Sequence, residues 1–180
     1  MYKKGLISSK YIGFNHYRRY FTFTDNIPNI DFIFKYYDVI LARPMKKTEG
    51  MKKQYCQWHI CKNYDEILNI IKAIKPEYYK IALKTTQEQN IYLYNIFIMK
   101  KNDFFKYCEF IFDVLFEFDK RNNLTSDKDV LDFAKKSYNI SSQYYYQSRL
   151  QGFLAERISN IFYHKHFKKI LTYDTGNYIS

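Results

Sequence analysis

The short apolar run Tyr11-Ile12-Gly13-Phe14 breaks off into Asn15-His16-Tyr17-Arg18-Arg19-Tyr20-Phe21, and this break constrains the fold more than any other stretch. A run so brief, rich in strand-forming residues and closing in polarity, reads as a buried strand that feeds a loop. Pro28-Asn29 and Asp31 then open a short helix reaching Tyr37, since proline and an acidic residue suit a first turn. Asp38-Val39-Ile40-Leu41-Ala42 is a second buried strand, stopped by Arg43-Pro44. Strand, helix and strand in that order begin an α/β layer. Only five glycines and three prolines leave few tight turns, which argues against an all-β sandwich. Twenty tyrosines and sixteen phenylalanines exclude a disordered chain and predict an aromatic core.

At 180 residues the chain has the size of one domain. Met45 to Lys53 reads as a basic loop containing Gly50, of a kind that is commonly functional. Gln54 to Cys61 reads as helical. Asn63-Tyr64-Asp65-Glu66 caps a helix whose Ile67, Leu68, Ile70, Ile71 and Ile74 repeat at helical spacing, and Pro76 starts another. Asn90 to Met99 is a third strand region, interrupted by Asn95, which is either a turn or bulge residue or a substrate contact. Asn102-Asp103 caps the longest helix, Phe104 to Lys120. Its charges form one narrow stripe, so it is expected in the core without chemistry. A weaker helix follows from Asp127 to Lys136. Tyr144 to Tyr163 is the last long helix, and it carries Arg149, Glu156 and Arg157. Arg149 and Glu156 are two turns apart and share a face, either as a structural ion pair or as part of a site. Gly152 between them permits a close approach. The basic end, His164 to Lys169, reads as solvated.

The net charge of +11 suits phosphates, nucleic acid or an anionic membrane face. Joint richness in Lys, Asn, Ile, Tyr and Phe is also the mark of an AT-rich genome, so the scarce arginines carry more weight. There are six: Arg18, Arg19, Arg43, Arg121, Arg149 and Arg157. Two stand together at a strand end, where functional groups of open α/β sheets gather. Guanidinium offers a planar fork for phosphate or carboxylate. The alternative is a surface pair beside a solvated loop. Cys56, Cys61 and Cys108 contain no CxxC pair and are odd in number, which predicts free thiols and a reducing cytoplasm. Cys56-x-x-His59-x-Cys61 lacks zinc-site spacing, because i, i+3 and i+5 do not converge on one helix. No signal peptide and no apolar run of about 20 residues is present.

His16-Tyr17-Arg18-Arg19-Tyr20-Phe21, Asn95-Ile96-Phe97-Ile98-Met99, Tyr107-Cys108-Glu109 and Arg149-x-x-Gly152-Phe153-Leu154-x-Glu156-Arg157 occur in this order. Together they resemble a domain-of-unknown-function family of bacterial glycosyltransferase-like proteins from capsular and exopolysaccharide gene clusters. Gln54-Tyr55 with His59, and Pro76-Glu77-Tyr78, resemble its middle section. The resemblance implies a GT-A-like α/β fold, with a small central sheet, several flanking helices and a helix-rich C-terminal half. It also implies a nucleotide-sugar donor, of UDP type, and a lipid-linked saccharide acceptor at the inner membrane face. The expected setting is cytoplasmic and peripheral to that membrane. Members usually carry a further segment before the HYRRYF-like block, with a first strand and part of the nucleotide site. The chain is therefore expected to be a single domain over 1–180 that lacks this segment.

Glycosyl transfer must stabilise a leaving diphosphate and deprotonate an acceptor hydroxyl. Many such enzymes hold the diphosphate through a divalent metal on an Asp-x-Asp motif. Asp127-Lys128-Asp129 sits at a predicted helix start, where capping explains it. No cofactor is expected, and a divalent metal has no such motif at a strand end. The resemblance instead implies that His16, Arg18 and Arg19 bind the diphosphate, that Glu156 is the base with Asp38 second, and that Arg149 and Arg157 orient the carboxylate or grip the acceptor. His59 and Asn95 would hydrogen-bond sugar hydroxyls. Lys46, Lys47, Lys52 and Lys53 either face anionic lipid or are simply solvated. A nucleic-acid module is the rival class, since Tyr17 to Phe21 mixes cations with rings. No RNA-binding signature or helix-turn-helix is present, so no nucleic-acid partner is expected. A non-catalytic remnant or partner subunit is the third reading.

Overall fold

The computed structural model describes residues 6–23, 28–137 and 145–178. Its centre is a four-stranded sheet made of β1 (Tyr11–Phe14), β3 (Val39–Ala42), β6 (Phe97–Lys100) and β7 (Ile170–Tyr173), in the order β1-β6-β3-β7. β6 runs antiparallel to both neighbours, and β3 runs parallel to β7. The carboxyl ends of β1, β3 and β7 therefore share one edge of the sheet. Among the described residues, two small ribbons make up the remaining strands. β2 (Arg19–Phe21) pairs with β8 (Thr175–Asn177), and β4 (Met45–Lys46) pairs with β5 (Asn90–Ile91).

β3 is buried along its whole length because it is covered on both faces. Side chains alternate along a strand, so Val39 and Leu41 enter one apolar cluster while Ile40 and Ala42 enter another. The smaller cluster lies under α1 (Ile30–Tyr36), whose first turn is capped by Asn29 accepting from the Phe32 N–H. The larger cluster holds α2 (Met51–Trp58), α3 (Cys61–Ile74), α4 (Pro76–Thr85), α5 (Lys101–Arg121) and α7 (Leu150–His166), with α6 (Asp127–Ser137) at its margin. Phe110, Phe118 and Phe162 are fully enclosed there, and each contributes on the order of 1.5–3 kcal/mol by leaving water. The core is aromatic, as the composition implied.

Several boundaries differ from the sequence reading. The basic loop from Met45 contains β4, and Gly50, at φ 83°, turns the chain into α2, so that helix starts at Met51. The start of the last long helix at Tyr144 lies outside the described residues; α7 runs on to His166. The basic end is not solvated throughout. His166 stacks on Phe162 and bonds the Tyr78 hydroxyl at 2.7 Å, and four residues later β7 joins the sheet.

The cysteine expectation is corrected. Cys56 and Cys61 form a disulfide, while Cys108 is free and buried. The physical reason is the position of the helix break, which the sequence reading puts after Cys61 and the structure puts before it. α2 stops at Trp58, His59 and Ile60 are extended, and α3 begins at Cys61, which brings the two Cα atoms to 4.4 Å.

Candidate functional site

The break after β1 folds into a tight reverse turn. The Arg19 N–H donates to the His16 carbonyl at 3.1 Å, and the Arg18 N–H donates to His16 Nδ1 at the same distance. Nδ1 accepts, so the ring proton of neutral His16 sits on Nε2. β2 leaves the turn and is anchored by β8, which presents the two arginines at the carboxyl edge of the sheet.

Around the His16 ring gather Tyr17 at 4.3 Å and Tyr94 at 5.7 Å between centroids. The Arg19 guanidinium lies 3.8 Å over Tyr94, and those of Arg18 and Arg149 lie 5.0 and 5.5 Å from the Tyr17 ring centre. Burial, followed by the charges of Arg19, Arg149 and Arg18, holds the His16 pKa below its ordinary value. Three guanidinium groups thus converge on one neutral imidazole. Arg149 stands at the first residue before α7, far from the turn in sequence.

The carboxylate of the site is Glu156, two turns along α7. Its Oε1 accepts from the Tyr94 N–H at 3.1 Å and its Oε2 pairs with Arg157 at 2.7 Å. Burial raises its pKa, against the lowering by Arg157 and the Tyr94 N–H. The Glu156 side chain is 16% exposed and Arg157 only 4%, so the carboxylate is the more accessible partner and the arginine lies behind it. Arg157 also donates to Gln54 Oε1 at 2.7 Å and lies over the Tyr55 ring. Tyr94 and Asn95 are both in the left-handed region, at φ 72° and 52°, unusual for a tyrosine. That turn aims the Tyr94 N–H at Glu156 and its ring at Arg19. Asn95 Oδ1 accepts from the Ser159 hydroxyl at 2.9 Å, so its side chain braces the turn against α7.

His59 is buried at the side of this cluster. It stacks on Phe153 at 4.1 Å, and its Nδ1 faces Gln147 Oε1 at 3.1 Å. An amide oxygen only accepts, which assigns the proton to Nδ1. Burial pulls its pKa down to about 4. The structure therefore brings His16, Arg18, Arg19, Asn95, Arg149, Glu156, Arg157 and His59 into one neighbourhood.

Asp38 is not part of it. It sits at the opposite, amino end of β3, where its carboxylate accepts from the Lys168 and Lys169 N–H groups at 2.9 Å and ties β7 to β3. Asp129 accepts from the backbone and hydroxyls of Thr125 and Ser126, as a cap does. Among the described residues no three His, Cys, Asp or Glu side chains gather closely enough to hold a metal ion. Beside the reverse turn lies a groove of about 400 Å³ lined by Gly13, Asn15, Tyr20, Phe23 and Tyr178, among others. Sequence reasoning missed Tyr94 and Gln147, which hold or flank the charged groups, and met Gln54 only as part of a family-like block with no role given to it. Tyr94, beside the polar break at Asn95, left a signal, and Gln147 left none.

Residues 1–168 match a family described as a domain of unknown function, DUF4422. The chain belongs to this family. Among solved structures, this DUF4422 chain is similar to the apo form of WbbM, described as a bifunctional glycosyltransferase, with a TM-score of 0.73 at 17% identity. The alignment covers 98% of the present chain and 35% of WbbM, so the DUF4422 chain spans about a third of that protein's length. A comparison with curated proteins found no match. The fold is thus a GT-A-like α/β domain with a small central sheet and many flanking helices. Among the described residues, no helix is long and apolar enough to cross a membrane.

Proposed function

We propose that this protein is a glycosyltransferase of surface-polysaccharide biosynthesis, moving a sugar from a nucleotide-sugar donor, of UDP type, to a saccharide acceptor. The observation that carries the reading is the convergence of Arg18, Arg19 and Arg149 beside a half-buried carboxylate, Glu156, at the carboxyl edge of a GT-A-like sheet. Arg18 and Arg19 neutralise the diphosphate as the bond from the sugar's anomeric carbon to phosphate oxygen breaks, while Arg149 faces the acceptor. Glu156 takes the proton of the acceptor hydroxyl as its oxygen bonds that carbon, and the raised pKa suits it to this task. Arg157 and the Tyr94 N–H hold the carboxylate in place. We assign the nucleoside to the groove beside the turn, where the rings of Tyr20 and Tyr178 offer stacking surface.

On this reading the arginines take a metal's place in neutralising the diphosphate, so binding is expected without one. Calorimetric titration with UDP and UDP-sugars, in manganese and in EDTA, tests this on a chain shown to melt cooperatively. Expected is metal-independent binding that Arg18→Ala or Arg19→Ala weakens at least about tenfold, a loss of roughly 1.4 kcal/mol. Activity abolished by EDTA and restored by manganese would overturn the role given to the arginines. A folded chain that binds no nucleotide would point to a non-catalytic partner subunit.

A further inference from the structure

From the charged cluster outward along its surface run exposed rings that neither the diphosphate grip nor the base explains. Tyr17 is 59% exposed, Tyr146 49% and Trp58 65%. Tyr146 packs on Phe153 at 4.9 Å, and the Arg149 guanidinium lies within 5.7 Å of the rings of both Phe153 and Tyr17. The rings thus run from the His16 turn along the start of α7. Trp58 ends α2, where its carbonyl accepts from Gln147 Nε2 at 2.8 Å. The Cys56–Cys61 disulfide closes the turn that carries Trp58 outward and His59 inward.

Exposed aromatic side chains gathered beside a guanidinium cost solubility and suggest an occupant. Sugar rings have flat faces of weakly positive C–H groups, which suit the negative face of an aromatic ring, and an edge of hydroxyls, which suits guanidinium N–H groups. Acyl chains would use the rings but not the arginine between them. We infer that Tyr17, Arg149, Phe153, Tyr146 and Trp58 form a platform for a neutral acceptor saccharide of several units, with its reacting end toward Glu156. The inference rests on the transferase reading, and it names the substrate class of the acceptor side.

Trp58 is the only tryptophan in the chain, so its fluorescence reports on the platform directly. The experiment titrates the full chain with linear gluco- and galacto-oligosaccharides of three to six units, with glycerol as control and no nucleotide present. Expected is a saturable change in Trp58 emission that strengthens with chain length. Tyr146→Ala should weaken the apparent affinity about tenfold or more, with the melting temperature kept. Calorimetry on Trp58→Ala should show a similar loss, which keeps the test open if Tyr146→Ala fails to fold. No response to any saccharide up to tens of millimolar would overturn the platform, since single stacking contacts are weak but several should register. A response only to phosphatidylglycerol vesicles would overturn it in favour of a membrane contact. UDP binding, measured separately, would stand or fall independently of either result.

Discussion

Glu156 combines two opposing influences, burial that favours the neutral acid and an arginine that favours the carboxylate. If it is the base, Glu156→Gln keeps UDP affinity and the hydrogen bond from Tyr94 but lowers turnover by about 10²- to 10⁴-fold. Wild-type kcat should fall with acid at a pH above the ordinary glutamate range, because its pKa is raised. A second residue-scale prediction concerns His59. Its pKa is near 4 in the fold and about 6.5 when unfolded, so between these values the unfolded chain holds the extra proton. Stability is then full above about pH 6.5 and is lost as pH falls towards 4, by up to about 1.4 kcal/mol per pH unit from this group. His16, His164 and His166 are shifted the same way and add to the slope. Denaturant melts across this window should show a shallower slope for His59→Gln than for wild type.

At the scale of elements, the link between β5 and β6 is held by α7. Asn160 is fully buried, accepts from the Tyr92 N–H and donates to the Tyr92 carbonyl, both at 2.8 Å. Asn160→Ala would orphan these groups and cost about 2–3 kcal/mol, read as a lower melting temperature. Turnover should fall further than stability explains, since the same link positions the Tyr94 N–H. The α2–α3 turn gives another test. Unfolded without reductant, the chain should expose one thiol, Cys108, and after reduction three. Closing so short a loop is worth about 2 kcal/mol by chain entropy, so reduction should lower the melting temperature by several degrees. Element type was legible where apolar spacing was strong, as in α3 and α5. The position of the α2–α3 break was not, because extended residues 59 and 60 follow helix-compatible sequence and are held by the Gln147 contacts and the disulfide.

For the whole molecule, the helices lie mostly on one face of the sheet and the cations at one edge. Ligands binding only the folded state stabilise it, so UDP at about 100 times its Kd should add about 2.7 kcal/mol and several degrees. That shift should vanish in Arg18→Ala with Arg19→Ala. The sequence by itself determined the α/β class, the aromatic core, the strand Tyr11–Phe14 before the His16 turn (an edge strand, with Phe14 exposed, and not the buried one expected) and the two-turn relation of Arg149 to Glu156, all of which follow from local spacing and composition. Only the tertiary structure decided that β7 joins the sheet beside β3, that Asp38 ties strands at the far edge, and that the turn of Tyr94 and Asn95 clamps Glu156. These depend on contacts between residues 62 to 131 positions apart, where pairing is set by burial of both faces at once and no local pattern records it.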